Sequence, residues 1–453
     1  GFWLLQQPDN TSVVLDAREK APGRSTRDMY LDDAGDVHPD KLSINGPLAA
    51  GIPGQPAAFA YINEHFAERP LRANLKDAIR IARQGFRVDE HYRSLAKWRL
   101  DVMRRYPPTA ATFLTDGEVP PLGTLIRQPA LADTMEALAE EGFDGFYKGR
   151  VAQALIDDVQ AAGGIWEGPD LAGMMSQRPF QAVHPDTPAT DSIARTQYLT
   201  EVMRRAYRDR AVYLGDPDFT DIPVQHLRDP DYLRQRMASV NPEKATPSDS
   251  LEGDLGSGTH TTHLSVLDAR GHKVSATLSI NLPFGSAFMS QQTGVLLNNE
   301  MDDFAIKPGV PNAYGLVGGE ANSIAPGKRP LSSMTPTIIE SPEHTAIIGT
   351  PGGSRIITMV FLGLLDVMDD ASADTIVARP RFHHQYLPDV IQHEPDTFTE
   401  SEKQQLEAMG YGLKDVGRQY GNMQLILRDN QTGETTAAAD PRGIGQAIVQ
   451  PAP

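Results

Sequence analysis

The sequence predicts an α+β protein whose helices come first and whose strands come last. Up to Tyr213, apolar residues recur mainly at helical spacing; from Thr262 they alternate with polar ones at the two-residue period of a strand. A loop-like stretch rich in Pro, Gly and Ser, residues 241–258, separates the two regimes.

Residues 11–15 read as a short strand, followed by Asp16-Ala17-Arg18-Glu19 where it ends. Residues 55–104 are largely helical in spacing, with Leu75, Ala78, Ile79 and Ala82 on one face. Further helices are expected at 129–141, 149–162 and 190–213, the last with a stripe of Ile193, Leu199, Val202, Met203 and Ala206. Residues 163–188 read as loop. The segment Asp254-Leu255-Gly256-Ser257-Gly258-Thr259-His260 is of the exposed kind where chain cleavage is tolerated.

After it comes a hairpin. Leu264 and Val266 alternate with His263 and Ser265, and Val274, Ala276, Leu278 and Ile280 alternate with Ser275, Thr277, Ser279 and Asn281. A three-residue loop, Ala269-Arg270-Gly271, with Gly in a left-handed conformation closes it. That register sets Val266 opposite Val274 and Leu264 opposite Ala276; a one-residue slip would mix the faces. It also sets Thr261 opposite Ser279 on the polar face, with Asn281 two residues further along. Taken alone, this reads first as a half-exposed hairpin with Thr and Ser on its wet side.

Composition excludes several functions. The formal net charge is −17 and no clustered basic patch is evident, which argues against nucleic acid. There are no cysteines, so disulfides, thiol catalysis and cysteine-ligated metal are ruled out. No apolar run is long enough to span a bilayer. His383-His384 with His393-Glu394 lacks the spacing of a zinc motif, and a structural role is expected, with no metal site. There is no Gly-x-Ser-x-Gly elbow.

Five runs in the last 193 residues carry a more specific signal: Thr261-Thr262-His263; Leu297-Asn298-Asn299-Glu300-Met301-Asp302-Asp303-Phe304; Lys328-Arg329-Pro330-Leu331-Ser332-Ser333-Met334; Gly349-Thr350-Pro351-Gly352-Gly353-Ser354-Arg355; and Ala378-Arg379-Pro380-Arg381-Phe382-His383-His384. Upstream stand Arg18-Glu19-Lys20-Ala21-Pro22 and Tyr213-Leu214-Gly215-Asp216-Pro217-Asp218-Phe219. In this order the runs resemble the gamma-glutamyltranspeptidases, whose fold is the four-layer αββα sandwich of the N-terminal-nucleophile hydrolases.

The resemblance implies a precursor that cuts itself between His260 and Thr261. Residues 1–260 would form a large subunit and residues 261–453 a small one, paired as a heterodimer in one compact unit. It implies no cofactor, a periplasmic or secreted location, and transfer of the γ-glutamyl group of glutathione or related amides to water, amino acids or peptides. Its residue roles follow position by position. Thr261 is the nucleophile, and Ser279 stands where the family commonly has threonine. Gly352 and Gly353 offer backbone N–H groups to the oxyanion. Arg18, Ser332 and Ser333 take the substrate α-carboxylate. Asn281, Glu300 and Asp303 take the α-ammonium, and Tyr314 belongs to a lid loop.

Two family stretches are missing, one ahead of Gly1 and one near Gly173-Met174. The second would hold further sheet strands and a Pro-Pro-Pro-Ser-Ser-Gly-Gly turn. The expectation is that the complete protein carries both, since lost core strands expose sheet edges and apolar faces. Two other readings stay open: a cephalosporin (glutaryl) acylase of the same fold, and an unprocessed, non-catalytic relative.

Overall fold

The computed structural model describes residues 1–172, 176–178, 192–248 and 261–450. The first strand, β1 (Phe2–Gln6), turns back into β2 (Ser12–Asp16), and β3 (Ser176–Arg178) pairs with β2. The hairpin supplies β4 (Thr261–Leu267) and β5 (Lys273–Ser279). Together they make an antiparallel sheet in the order β3-β2-β1-β5-β4. A second antiparallel sheet is built from β6 (Thr337–Glu340), β7 (His344–Gly349), β8 (Gln424–Asp429) and β9 (Thr435–Ala439), in the order β9-β8-β7-β6.

The two sheets lie face to face. Ser265 Oγ donates to the Ile347 carbonyl at 3.1 Å, Ser275 Oγ to that of Ile348 at 3.3 Å, and Gln6 Nε2 to Glu340 at 3.1 Å. Helices cover the outer faces. On the first sheet sits α1 (Gln55–Phe66), where Phe59 meets Trp3 edge-on with ring centroids 6.0 Å apart. Around it gather α2 (Leu71–Gln84), α3 (Glu90–Met103), α4 (Pro129–Glu141) and α5 (Gly149–Ala161). Another long helix, α6 (Ser192–Tyr213), reaches the site described below. On the second sheet lies α7 (Ile356–Met368), whose Ile356, Met359 and Val360 pack with Ala346, Ile348 and Leu425, followed by α8 (Ala373–Ala378). These are the four layers, helix, sheet, sheet, helix, that were expected.

The expected helices at 129–141 and 149–162 are present with ends shifted by at most one residue, the one at 190–213 is present from Ser192, the first described residue there, to Tyr213, and 55–104 divides into α1, α2 and α3. In α2, Leu75, Ile79 and Ala82 face inward, while Ala78 is exposed. The hairpin register is as read: Thr261 pairs with Ser279, Leu264 with Ala276 and Val266 with Val274, and Gly271 has φ +94°.

One expectation is overturned. The polar face of the hairpin is not its wet side but faces the second sheet. His263, Ser275 and Thr277 are buried, whereas Val266 is 46% exposed. The reason is chemical: these hydroxyls and the imidazole bond to one another and to β7 carbonyls, so each of these side chains has a partner between the sheets. The strand β1, an internal member of its sheet, had no expectation attached to it. The junction near Gly173-Met174 lies outside the described residues.

Candidate active site

Thr261 stands at the edge of its sheet, at the start of β4, and its Oγ1 lies 3.4 Å from Ser279 Oγ. Ser279 Oγ in turn accepts the Asn281 backbone N–H at 2.8 Å. Asn281 adopts a left-handed φ of +71°, a conformation asparagine tolerates, as the chain leaves the sheet. Its Nδ2 donates to the Asn299 carbonyl at 2.9 Å. His260 lies outside the described residues.

A polar pocket opens beside Thr261, and Arg18, Ser279, Asn281, Glu300, Asp303, Tyr314, Ser332, Ser333 and Gly353 all line it with Thr261. Of the residues singled out from sequence, only Gly352 and the undescribed His260 are outside that lining. On its other side Thr261, again with Ser279, lines a wider cleft walled by Phe59, Trp98, Leu278 and Phe284. The nucleophile candidate therefore stands at the wall between a charged pocket and a largely apolar cleft.

The charged groups are tightly coupled. Arg18 is buried and donates to Glu300, to Asp303 at 2.5 Å, to Glu19 at 3.4 Å, and to the carbonyls of Pro330 at 3.1 Å and Leu331 at 3.3 Å. Burial works against its charge, yet Glu300, Asp303 and Glu19 more than offset this and raise its pKa. Burial raises the pKa of both Glu300 and Asp303, with Arg18 pulling the other way. Glu300 Oε1 is buried without a hydrogen-bond partner among the described residues. An unpaired buried carboxylate oxygen costs free energy until a donor reaches it. Each N–H group of Arg18 faces one of these acceptors.

Gly352 and Gly353 lie between β7 and α7, with φ +153° and +58°. A methyl group on Gly353 would meet the Tyr314 ring at 2.6 Å, and one on Gly352 would meet Met359 at 2.3 Å. No acceptor among the described residues is paired with either backbone N–H. Unclaimed N–H groups at a helix start suit an anion. The loop of Tyr314 is held from several sides: Tyr314 Oη donates to the Asn281 carbonyl at 2.7 Å, Gln385 Nε2 donates to the Gly315 carbonyl at 3.0 Å, and Asp302, which accepts from Ser43 at 2.8 Å, accepts the Ala313 N–H at 2.9 Å. Asp302, which alone reads as part of a solvated turn, is thus a buried anchor for this loop.

Arg210, which had not been singled out, lines the same pocket and donates to Ser333 Oγ at 3.1 Å. It lies on α6 three residues after Tyr207, which is buried and donates to the Ser354 carbonyl. The cue was its place just ahead of the run that begins at Tyr213. His263 also gains a role: its Nδ1 is 2.8 Å from Thr277 Oγ1 and its Nε2 3.1 Å from Ser265 Oγ. Because Ser265 donates onward to Ile347, the ring is assigned as the Nε2–H tautomer. The other histidines serve separate partners: His383 bonds Thr358 and Gln385, His384 bonds Asp389, and His393 bonds the Glu394 carbonyl. Among the described residues no group of three or more potential ligands is arranged for a metal.

The gamma-glutamyltranspeptidase family model matches residues 1–178 and 171–450. A glutathione hydrolase proenzyme of Escherichia coli is 36% identical over 488 residues, covering 98% of this chain and 82% of that protein. One from Pseudomonas aeruginosa is 37% identical over 489 residues, covering 99% and 86%. The fold also matches the crystal structure of a cephalosporin acylase from Bacillus halodurans, with a TM-score of 0.81 at 20% identity, over 98% of this chain and 86% of that one. With a family model spanning nearly all of it, and a Thr-Ser pair beside a buried arginine-carboxylate cluster, this chain belongs to the gamma-glutamyltranspeptidase family.

Proposed function

We propose that this protein is a gamma-glutamyltransferase and glutathione hydrolase that works through a covalent Thr261 intermediate, after cleavage of the bond between His260 and Thr261. The observation that carries the reading is the pocket beside Thr261, where an unpartnered Glu300 oxygen and a set of guanidinium and hydroxyl donors face one small space. That pairing is complementary to the ammonium and carboxylate of an amino-acid head. The Asn281 Oδ1, whose amide nitrogen is already engaged, is a further acceptor for the ammonium.

The chemistry follows from the positions. Cleavage frees the Thr261 α-amine, which titrates near ~8 and is partly neutral at pH 7. The amine takes the Thr261 hydroxyl proton as the oxygen attacks the γ-carbonyl carbon. Negative charge develops on the carbonyl oxygen and is received by the Gly352 and Gly353 N–H groups. The C–N bond breaks, the proton passes to the leaving amine, and an ester on Thr261 remains. Water then yields glutamate, or an amino acid or peptide yields a new γ-glutamyl amide. The apolar cleft on the far side of Thr261 is where leaving group and acceptor would lie.

Residues 1–260 and 261–453 would be the large and small subunits. The pairing of β1 with β5 supports a heterodimer held within one sheet. The alignments to relatives run longer than the whole chain, which supports an internal segment absent here. No helix among the described residues is long and apolar enough to cross a membrane. The finer assignment, periplasmic or secreted, rests on the resemblance and is tested by fractionating cells that express the complete gene.

Comparing γ-glutamyl and glutaryl anilides tests the substrate reading. Preference for γ-glutamyl by about 10-fold or more is expected, since an ammonium-carboxylate contact is worth ~1.5–3 kcal/mol. Preference for glutaryl would instead favour an acylase.

A further inference from the structure

We propose that Gln385 is a positioning residue for the reaction at Thr261, a buried amide that fixes the Tyr314 loop against the turn carrying the Gly352 and Gly353 N–H groups. The inference goes beyond the functional reading above and rests on it. Gln385 follows directly on the run that ends at His383-His384, and it lies outside the linings of both the polar pocket and the apolar cleft. It is only 4% exposed. Its Nε2 donates to the carbonyls of Tyr314 at 3.3 Å and Gly315 at 3.0 Å, and its Oε1 accepts from Ser354 Oγ and His383 Nε2, both at 2.8 Å. An amide offers two donors and two acceptor lone pairs, so the side chain is saturated. The partners assign its orientation, since the reverse would set an oxygen against two carbonyl oxygens.

Its partners belong to two parts of the site that must stay in register. Tyr314 is held at its other end by the Oη bond to the Asn281 carbonyl, and its ring lies against Gly353, where an added methyl would meet it at 2.6 Å. Ser354 follows Gly353 in the turn, and its carbonyl accepts from Tyr207 Oη. The amide of Gln385 therefore joins the pocket wall to the oxyanion turn. Behind it, His383 is fully buried and bonds Thr358; burial depresses its pKa to about 3, so the ring stays neutral, with the Nε2 hydrogen assigned to Gln385. Removing the amide would strand two carbonyls, a hydroxyl and an imidazole N–H away from water, which is why it holds both segments firmly. Backbone donors stabilise a developing oxyanion only while they stay aimed at it.

The test measures γ-glutamyl anilide kinetics on cleaved protein for Gln385→Glu, Gln385→Met, Tyr314→Phe and the Gln385→Glu/Tyr314→Phe pair. Glutamate keeps an oxygen for Ser354 and His383 but sets a carboxylate oxygen against the two loop carbonyls. Gln385→Glu therefore raises donor KM about 10-fold or more and changes kcat far less. Methionine is of similar length and serves neither side, so Gln385→Met raises KM and also lowers kcat by about 10-fold. Tyr314→Phe frees the other end of the same loop residue. The paired variant should lose less kcat/KM than the product of its two single losses, because both changes release one loop. Should Gln385→Met fail to fold, Gln385→Glu and its pairing with Tyr314→Phe decide alone. Cleaved Gln385→Glu with kcat and KM within about twofold of the natural chain, or single losses that multiply in full in the pair, overturn the inference and leave the functional reading standing. A natural chain that turns over no γ-glutamyl anilide overturns the functional reading and this inference with it.

Discussion

Thr261 and Ser279 face each other across two strands with 3.4 Å between their oxygens, long for a hydroxyl pair. Serine lacks the methyl that stiffens threonine about χ1. Ser279→Ala should lower kcat by about 10-fold, the order expected for one hydrogen bond to a reacting group, and Ser279→Thr should equal or exceed the natural chain. Steady-state kinetics on cleaved protein reads both. Glu300 and Asp303 must be ionised to accept an ammonium, and burial raises both pKa values. The acid limb of kcat/KM should therefore lie above the ordinary carboxylate range near ~4, with donor KM rising as pH falls through it. Asp303→Asn and Glu300→Gln each keep an acceptor oxygen but remove a negative charge, so both should raise donor KM. Parity alone made the Thr261–Ser279 pair legible, since strand alternation fixes who faces whom. The partners of Arg18 were not legible, because Glu300 and Asp303 lie 282 and 285 positions away and no local pattern links them.

Among the elements, the hairpin is the clearest case of a pattern read correctly and oriented wrongly. Alternation identifies two faces but not which one meets a neighbour. Here the polar face does, because Thr277, His263, Ser265 and the Ile347 carbonyl form a hydrogen-bonded chain between the sheets. Burial depresses the His263 pKa from 6.5 to about 3. The folded protein thus disfavours the imidazolium that the unfolded chain forms freely. Stability from the neutral ring is complete above pH ~6.5 and is lost as pH falls from there toward the folded value. His263→Gln should flatten the fall of the thermal midpoint between pH 7 and 5. Close approach of the sheets also depends on Gly349, where a methyl would meet the His263 ring at 2.2 Å. Gly349→Ala should destabilise by ~1–3 kcal/mol or more, the range for an overpacked core, measured by chemical unfolding. β1 escaped notice because Phe2-Trp3-Leu4-Leu5 is a continuous apolar run, as suits an internal strand covered on both sides.

For the molecule as a whole, the long-range order of motifs made the αββα architecture legible where periodicity gave only helix and strand. The two proposed subunits are interleaved: β1 lies against β5, and Arg18 of the first part grips Glu300 and Asp303 of the second. The fragments should therefore copurify under native conditions and separate only on unfolding. Before cleavage Thr261 carries an amide nitrogen, which cannot accept a proton at neutral pH. Thr261→Ala should accordingly give a single uncut chain without turnover. N-terminal sequencing of the smaller fragment, run beside an activity assay on the same sample, tests the central claim most directly. The account predicts Thr-Thr-His-Leu-Ser at its start and activity that rises with the cleaved fraction; full turnover by a chain whose 260–261 bond is intact would contradict it.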